Sequence, residues 1–215
     1  MLGTLFLKKK KILANRTIYI EIKGRVFENT EVLIKYFEGE RLAKACKNGC
    51  PNYGKKWSCP PFASPFTDIL KKYSCAFVLI FSTEMNYYQD IKNKYLAVKA
   101  ANATLKTTIE KCTRDLENYT KGYSLLSGSC RCCNPCQCKK NLPCKHPDKM
   151  RYSMEATGLN VQQLGIDFLN HELLWYEDKT LPKYTSTVTL TLFNQNLNVD
   201  SLAKVLEESV KKNIS

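Results

Sequence analysis

Residues 75–83 read CAFVLIFST, and the segment from Cys75 to Phe81 is the longest apolar run of the chain. An apolar run of this length is typical of a β-strand inside a protein core. Such a strand needs pairing and cover from other elements before it is stable. We therefore predict that residues 76–83 form a core strand and that the other elements pack around it.

The segment from about Tyr87 to Tyr119 predicts one long helix. Its apolar residues are spaced by three and four positions, and only Asn102 interrupts the stripe. This spacing places them on one face of an amphipathic helix, which we expect to pack against the sheet. The apolar residues of the stripe are Ile91, Tyr95, Val98, Leu105, Ile109, Cys112, Leu116 and Tyr119.

Further elements are predicted on both sides of this strand and helix. Ile18, Ile20 and Ile22 alternate with polar residues, as in a half-buried strand. The remaining predicted strands and helices are 123–126, 158–170, 173–176, 185–193 and a helix from about residue 200. This mixture predicts an α/β or α+β fold, with helices packed on a mixed sheet. We expect a single domain over residues 1–215, with cysteine-rich insertions at about 46–66 and 130–150.

The chain is strongly basic, with 33 Lys and Arg residues, 20 Asp and Glu residues and a formal net charge of +13. Such a charge is compatible with a nucleic-acid partner. However, the basic residues are scattered, and Lys8 to Lys11 is the only long run. Two oxidised four-iron clusters with their thiolates would also lower the charge to about +9. We therefore favour solvated basic surfaces over nucleic-acid binding.

The eleven cysteines are the main feature of the composition. No stretch approaches the roughly eighteen apolar residues of a membrane span. The N-terminus, MLGTLFLKKKK, has its few apolar residues before its charges, the reverse of a secretory signal. We therefore expect a cytoplasmic protein that does not bind a membrane. In a reducing cytosol, clustered cysteines are more often metal ligands than disulfides.

The second cysteine segment predicts a metal site. It reads GSCRCCNPCQCKKNLPCKHP and contains Cys130, Cys133 and Cys136 at C-x2-C-x2-C spacing, followed by Cys144. Three thiolates at this spacing on a turning backbone can reach three corners of a [4Fe–4S] cluster, and a returning loop can supply the fourth. Zinc remains the alternative, although zinc sites usually offer two well-separated C-x2-C pairs.

The second segment also departs from the ferredoxin pattern. Its fourth cysteine follows after seven residues instead of three. Cys132 and Cys138 are additional, so the ligand register is ambiguous.

The first cysteine segment, ACKNGCPNYGKKWSCPPF, contains Cys46, Cys50 and Cys59. Three thiolates would bind three irons of a second cluster and leave the fourth iron open to substrate, water or sulfide. Alternatively, a further thiolate completes the site, or both segments share one metal. Candidates for that further thiolate are Cys75, Cys132 and Cys138. Cys75 and Cys112 lie in apolar patterns, and we expect both to be small buried residues.

These segments resemble a family known only as predicted metal-binding proteins, found mainly in archaea and anaerobic bacteria. The resemblance implies cysteine metal sites but no particular reaction. Cys132 and Cys138 are additions to the family pattern. The matching residues are Cys46, Cys50, Tyr53-Gly54, Trp57 to Pro61, Cys130, Cys133, Cys136, Pro143 to Pro147, Arg151 to Ala156 and Gly158.

The sequence thus predicts an iron–sulfur protein with one or two [4Fe–4S] clusters that transfers electrons to a redox partner protein. The first alternative is an enzyme that binds substrate or sulfide at an open iron beside Cys46, Cys50 and Cys59. The second is a zinc-stabilised module that binds nucleic acid. The residues Tyr152 and Glu155 follow the second segment, either as polar groups near a cluster or as the start of a helix.

Overall fold

The computed structural model describes residues 4–13, 15–195 and 197–214. Within them lies a five-stranded sheet in the order β1-β2-β3-β5-β4, and each pairing between these strands is antiparallel. The strands are β1 Thr4–Leu13, β2 Arg16–Phe27, β3 Cys75–Glu84, β4 Tyr123–Leu125 and β5 Tyr184–Phe193. The helices are α1 Gly39–Gly49, α2 Phe66–Leu70, α3 Lys94–Thr120, α4 Val161–Leu169 and α5 Val199–Ile214.

The predicted core strand is confirmed as β3, which pairs with β2 on one side and β5 on the other. Its side chains alternate between two apolar layers. Phe77, Leu79 and Phe81 pack with α3 and α5, whereas Ala76, Val78 and Ile80 pack with α2 and α4. Because helices cover both faces, the strand is apolar at every position instead of every second one.

The long helix is confirmed, but it begins later than the sequence indicated. Asn93 caps α3, because its side-chain oxygen accepts a hydrogen bond from the Leu96 backbone N–H at 3.0 Å. Most of the predicted stripe is buried against the sheet, including Leu105, which is 0% exposed. Tyr95 and Tyr119, at the ends of the stripe, are 49% and 43% exposed.

Gly122 allows the chain to turn from α3 into β4. A side chain at this position would place its Cβ 2.1 Å from the backbone oxygen of Leu192 on β5. The glycine is therefore required by the close approach of two backbones. This approach leads directly into the pairing of Tyr123 with Leu192.

The fold is α+β, one of the two classes that the sequence predicted. The sequence predicted a mixed sheet, but the strand pairings given above are antiparallel. β1 and β2 form a hairpin, and α3 carries the chain from β3 to β4 at the opposite edge of the sheet from β1. The strand predicted at 173–176 is wrong. The Leu173 backbone N–H donates to the Gln162 side chain at 3.0 Å, not to a neighbouring strand. The single-domain boundary of 1–215 stays a prediction.

The sequence did not predict β1, α1 or α2. β1 is an edge strand that carries Lys8 to Lys11, and its burial alternates too weakly to resemble a core strand. Lysines on an edge strand also discourage pairing with other chains. In the described residues, no helix is long and apolar enough to cross a membrane.

Candidate metal centre

The first cysteine group, Cys46, Cys50 and Cys59, is formed by the end of α1 and the turns that follow it. Cys46 lies in the last turn of α1, and the Cys50 backbone N–H closes the helix by donating to the Cys46 carbonyl at 3.0 Å. The turns that follow α1 reverse the chain, so that Cys59 lies near Cys46 and Cys50. Cys59 is buried, Cys46 is half-buried and Cys50 is exposed.

The three thiols of this group influence one another electrostatically. Burial raises the pKa of Cys46, and the neighbouring Cys50 thiolate raises it further. Burial also raises the pKa of Cys59, although a hydrogen bond with Ser58 opposes this effect, and Cys50 and Cys46 add to it. The structure therefore brings together the three cysteines that the sequence grouped. A positively charged group among them would relieve this mutual repulsion.

A cavity of about 410 Å³ opens beside the first cysteine group. Its wall includes all three cysteines together with Asn102, Lys106, Glu155 and the apolar side chains of Val98, Leu174, Trp175 and Tyr176. This volume is in the range of small-molecule sites, which combine an apolar lining with a few polar groups.

The second cysteine segment is an insertion whose two ends are joined. The Leu126 N–H donates to the Tyr152 carbonyl at 2.8 Å, and the Met154 N–H donates to the Leu126 carbonyl at 3.2 Å. Between residues 130 and 150, Cys138 is the only buried residue. This stretch therefore has almost no apolar core of its own.

An ion pair fixes the end of this insertion to α3. Arg151 contacts Glu117 through two bonds, from Nη2 to Oε1 at 2.5 Å and from Nε to Oε2 at 3.0 Å. Arg151 also donates to the carbonyl of Asp148 at 2.7 Å. Burial would raise the pKa of Glu117, but Arg151 and Arg114 outweigh it and lower that pKa.

Within the second segment, Cys130, Cys133 and Cys136 are electrostatic neighbours, with Cys132 beside them. Burial raises the pKa of Cys133, and the Cys136 thiolate adds to this effect. For Cys136, burial is outweighed by hydrogen bonds from the backbone of Trp57 and Cys138 and by the charge of Lys56, so its pKa is lowered. Cys144, in the loop that follows Cys138, is half-buried. Its role as the fourth ligand stays a prediction.

The two cysteine segments pack directly against each other. The Cys130 backbone N–H donates to Ser58 Oγ at 3.0 Å, and Lys56 Nζ donates to the Cys130 carbonyl at 2.7 Å. Trp57 Nε1 donates to the Leu142 carbonyl at 2.9 Å. Ser58 is 1% exposed, so the contact between the segments is closed to solvent at this residue.

Other predicted residues are placed as follows. Cys75 and Cys112 are buried in the apolar core, as expected. Cys138 is buried, and its thiol lies 3.7 Å from the Gly54 carbonyl. Glu155 lies in a short helical turn at Glu155–Thr157 and also lines the cavity, and its role beside a cluster stays a prediction. The Tyr152 hydroxyl accepts a hydrogen bond from Ser64 at 3.3 Å.

Sequence reasoning missed Lys56 and Lys106 as residues of the site, and it gave Ser58 only as part of the family motif. Lys106 and Asn102 both belong to α3 and line the cavity. The interruption of the apolar stripe at Asn102 was the available signal, since its side chain accepts a hydrogen bond from Thr185 on β5. Among the described residues, no three Cys, His, Asp or Glu side chains are positioned to hold a single metal ion.

A family described as "Predicted metal-binding protein (DUF2284)" matches residues 34–193, which are 160 of the 215 residues. The chain belongs to this family. The matched region includes all eleven cysteines and both cysteine groups. No curated protein and no solved structure matches the chain.

Proposed function

We propose that the protein binds two [4Fe–4S] clusters, one at each cysteine group, and exchanges electrons with a partner protein. The observation that supports this most is the direct packing of the two cysteine segments through Lys56, Trp57 and Ser58. Through these contacts, clusters bound at the two groups would lie on neighbouring segments of one protein. We place the protein in the reducing cytosol of an anaerobe, where such centres survive.

The donor set fits this type of group. Cys46, Cys50 and Cys59 would hold the first cluster, and Cys130, Cys133, Cys136 and Cys144 would hold the second. These are thiolate ligands, the type that binds most iron–sulfur clusters. Bound clusters would supply reversible one-electron transfer. The C-x2-C-x2-C spacing favours iron–sulfur over zinc, for which two separated pairs are usual.

Several residues of the chain would tune these centres. Lys56 places a positive charge between the two groups, since it acts on both Cys59 and Cys136. Its charge would stabilise the negative charge of a thiolate-ligated group. Trp57 and Phe62 pack edge to face, with ring centroids 4.7 Å apart, beside the first group. Their rings would exclude water, which is one of the factors that set a cluster's potential.

The first experiment is to purify the protein without oxygen and to measure iron, zinc and acid-labile sulfide per chain. About eight irons and eight sulfides are expected for two [4Fe–4S] clusters. Dithionite should bleach the visible absorption reversibly. A stoichiometric amount of zinc without sulfide would contradict the proposal, and salt-dependent RNA binding by that zinc form would support the nucleic-acid alternative instead.

A second candidate function is catalysis at the first group. The specific observation in its favour is the 410 Å³ cavity, which brings Lys106 and Glu155 to the side of Cys46, Cys50 and Cys59. If the three cysteines bind three irons of the cluster, the fourth iron would offer an open coordination position for a substrate. Lys106 and Glu155 would then bind and orient that substrate, or carry a proton.

Ligand number distinguishes the two candidates. A spectroscopically distinct iron that shifts when a small ligand such as cyanide is added would favour catalysis. Two clusters with complete thiolate ligation would favour simple electron transfer. The Lys106→Met variant should weaken ligand binding in the catalytic case only, and Lys99→Met, on the same helix but outside the cavity lining, is the matched control.

A further inference from the structure

A second and larger concavity lies on the other side of the segment that leads to Cys130. It has a volume of about 640 Å³ and is formed by α3, the end of α5 and the two ends of the cysteine insertion. Gly128 and Ser129 belong to the walls of both this groove and the cavity of the first cysteine group. The groove is therefore separate from the cavity of the first cysteine group, but its wall includes Cys130 and Cys132 of the second segment.

The charge of this groove is strongly one-sided. Among the residues that the structure describes, the acidic residues that line it are Glu110 and Asp115. Both are already bound within the protein: Glu110 pairs with Arg131 at 2.7 Å, and Asp115 accepts a hydrogen bond from Ser209. The basic side chains of the groove are Lys111, Arg114, Arg131, Lys149, Arg151 and Lys212.

The basic residues fall into two kinds. Arg114 and Arg151 are fixed in place, because both bind Glu117 and both donate to backbone carbonyls of the insertion. By contrast, Lys111, Lys149 and Lys212 have no carboxylate within ion-pair distance among residues 4–13, 15–195 and 197–214. The groove thus combines a fixed wall of guanidinium groups with three lysines available to a ligand.

We propose that this groove binds a compact polyanion, a small molecule that carries several negative charges on phosphate or carboxylate groups. Its volume is within the range of pockets that enclose small ligands. Arginine and lysine are the side chains that bind phosphate and carboxylate groups most strongly, through charge-assisted hydrogen bonds. A concave site favours a small ligand over an acidic protein, whose larger surface would meet a flatter patch.

The proposal is tested by titration calorimetry on the full-length, metal-replete protein at physiological ionic strength. The probes are pyrophosphate, ATP and citrate, which separate a phosphate ligand from a carboxylate one. At least one probe should bind with one-to-one stoichiometry. Iron is measured on the same sample, so that a failed cluster assignment and a failed groove assignment are distinguished.

The test variant combines Lys111→Gln with Lys212→Gln. It should weaken binding of the preferred probe by about a hundredfold, because two charge-assisted contacts are lost. The matched control combines Lys71→Gln with Lys72→Gln, which removes the same charge from exposed positions outside the groove. Screening should limit its effect to less than about twofold. Lys149→Gln provides a second variant if the first does not fold.

Three results would overturn the proposal. One is the absence of binding heat with all three probes, and another is equal weakening by the test and control variants. The third is stronger, groove-dependent binding of polyglutamate or of a single-stranded RNA, which would make the groove a docking surface for a macromolecule.

Discussion

The sheet and the cysteine segments of this protein are held together in different ways. Nine of the ten residues of β3 are buried, whereas between residues 130 and 150 only Cys138 is buried. The sheet therefore has a large apolar core, and the insertion depends on hydrogen bonds, on the ion pairs of Arg131 and Arg151 with α3, and on its cysteines. From this difference we expect metal binding to be linked to the folding of the insertion more than to the folding of the sheet.

The strongest test of this contrast is the Cys133→Ser variant. It should lose the metal of the second group entirely and expose residues 130–150 to protease and to amide exchange, since this stretch has little else to order it. The amides of β3 should remain protected. Iron analysis and hydrogen exchange measure the two regions separately.

The matched control for this change is Cys112→Ser, because Cys112 is buried in the apolar core on α3. It should retain full metal content. Loss of iron from Cys112→Ser would show that the assignment of ligands is wrong, and loss of protection throughout β3 in Cys133→Ser would show that the two regions are not independent.

A second test breaks the connection between the regions. Glu117→Gln leaves Arg151 without its charged partner at a site where both side chains are mostly buried, with side-chain exposures of 8% and 13%. Removing one partner of a buried ion pair costs about 3–5 kcal/mol. We expect amide exchange at 148–152 to accelerate by the factor that corresponds to this loss of free energy. The amides of β3 should be affected less.

This effect should depend on pH in a defined direction. The pKa of Glu117 is lowered in the folded protein, so its ion pair stabilises the fold above the unfolded pKa of about 4.3. That stabilisation is lost as the pH falls through the folded pKa. The difference between the wild type and Glu117→Gln should therefore be largest at neutral pH and should close as the pH falls through the folded pKa. A difference that grows in acid would contradict this assignment.

A third test addresses the sheet side of the comparison. Leu105→Ala removes a fully buried side chain between α3 and the sheet and should cost about 2–5 kcal/mol in the free energy of unfolding. Native-state hydrogen exchange of α3 measures this cost without unfolding the metal-bound protein. The metal content should be unchanged. A parallel loss of iron would mean that the core and the cysteine segments unfold together.

The sequence predicted these two regions unequally. Residues 76–83 and the stripe from Val98 to Leu116 were predictable because hydrophobic periodicity directly reflects burial. Both cysteine groups were predictable as groups because their members are close in sequence. Their packing against each other was not, since it depends on Lys56 and Ser58, which have no periodic pattern. The basic groove was equally hidden, because its residues come from four separate parts of the chain.

The smallest expected effect tests why α3 begins where it does. The apolar pattern extends back to about Tyr87, yet the helix starts at Lys94, directly after the Asn93 cap. Asn93→Ala removes the bond to the Leu96 N–H and should cost about 1 kcal/mol. Fraying should be limited to the first turn, because Val98 and Ala101 anchor the next turns in the core. The exchange rate of the Leu96 amide measures this fraying. Asn118→Ala, near the opposite end of α3, is the control. If Asn93→Ala leaves the Leu96 amide unchanged, the start of the helix is set by packing instead of by its cap.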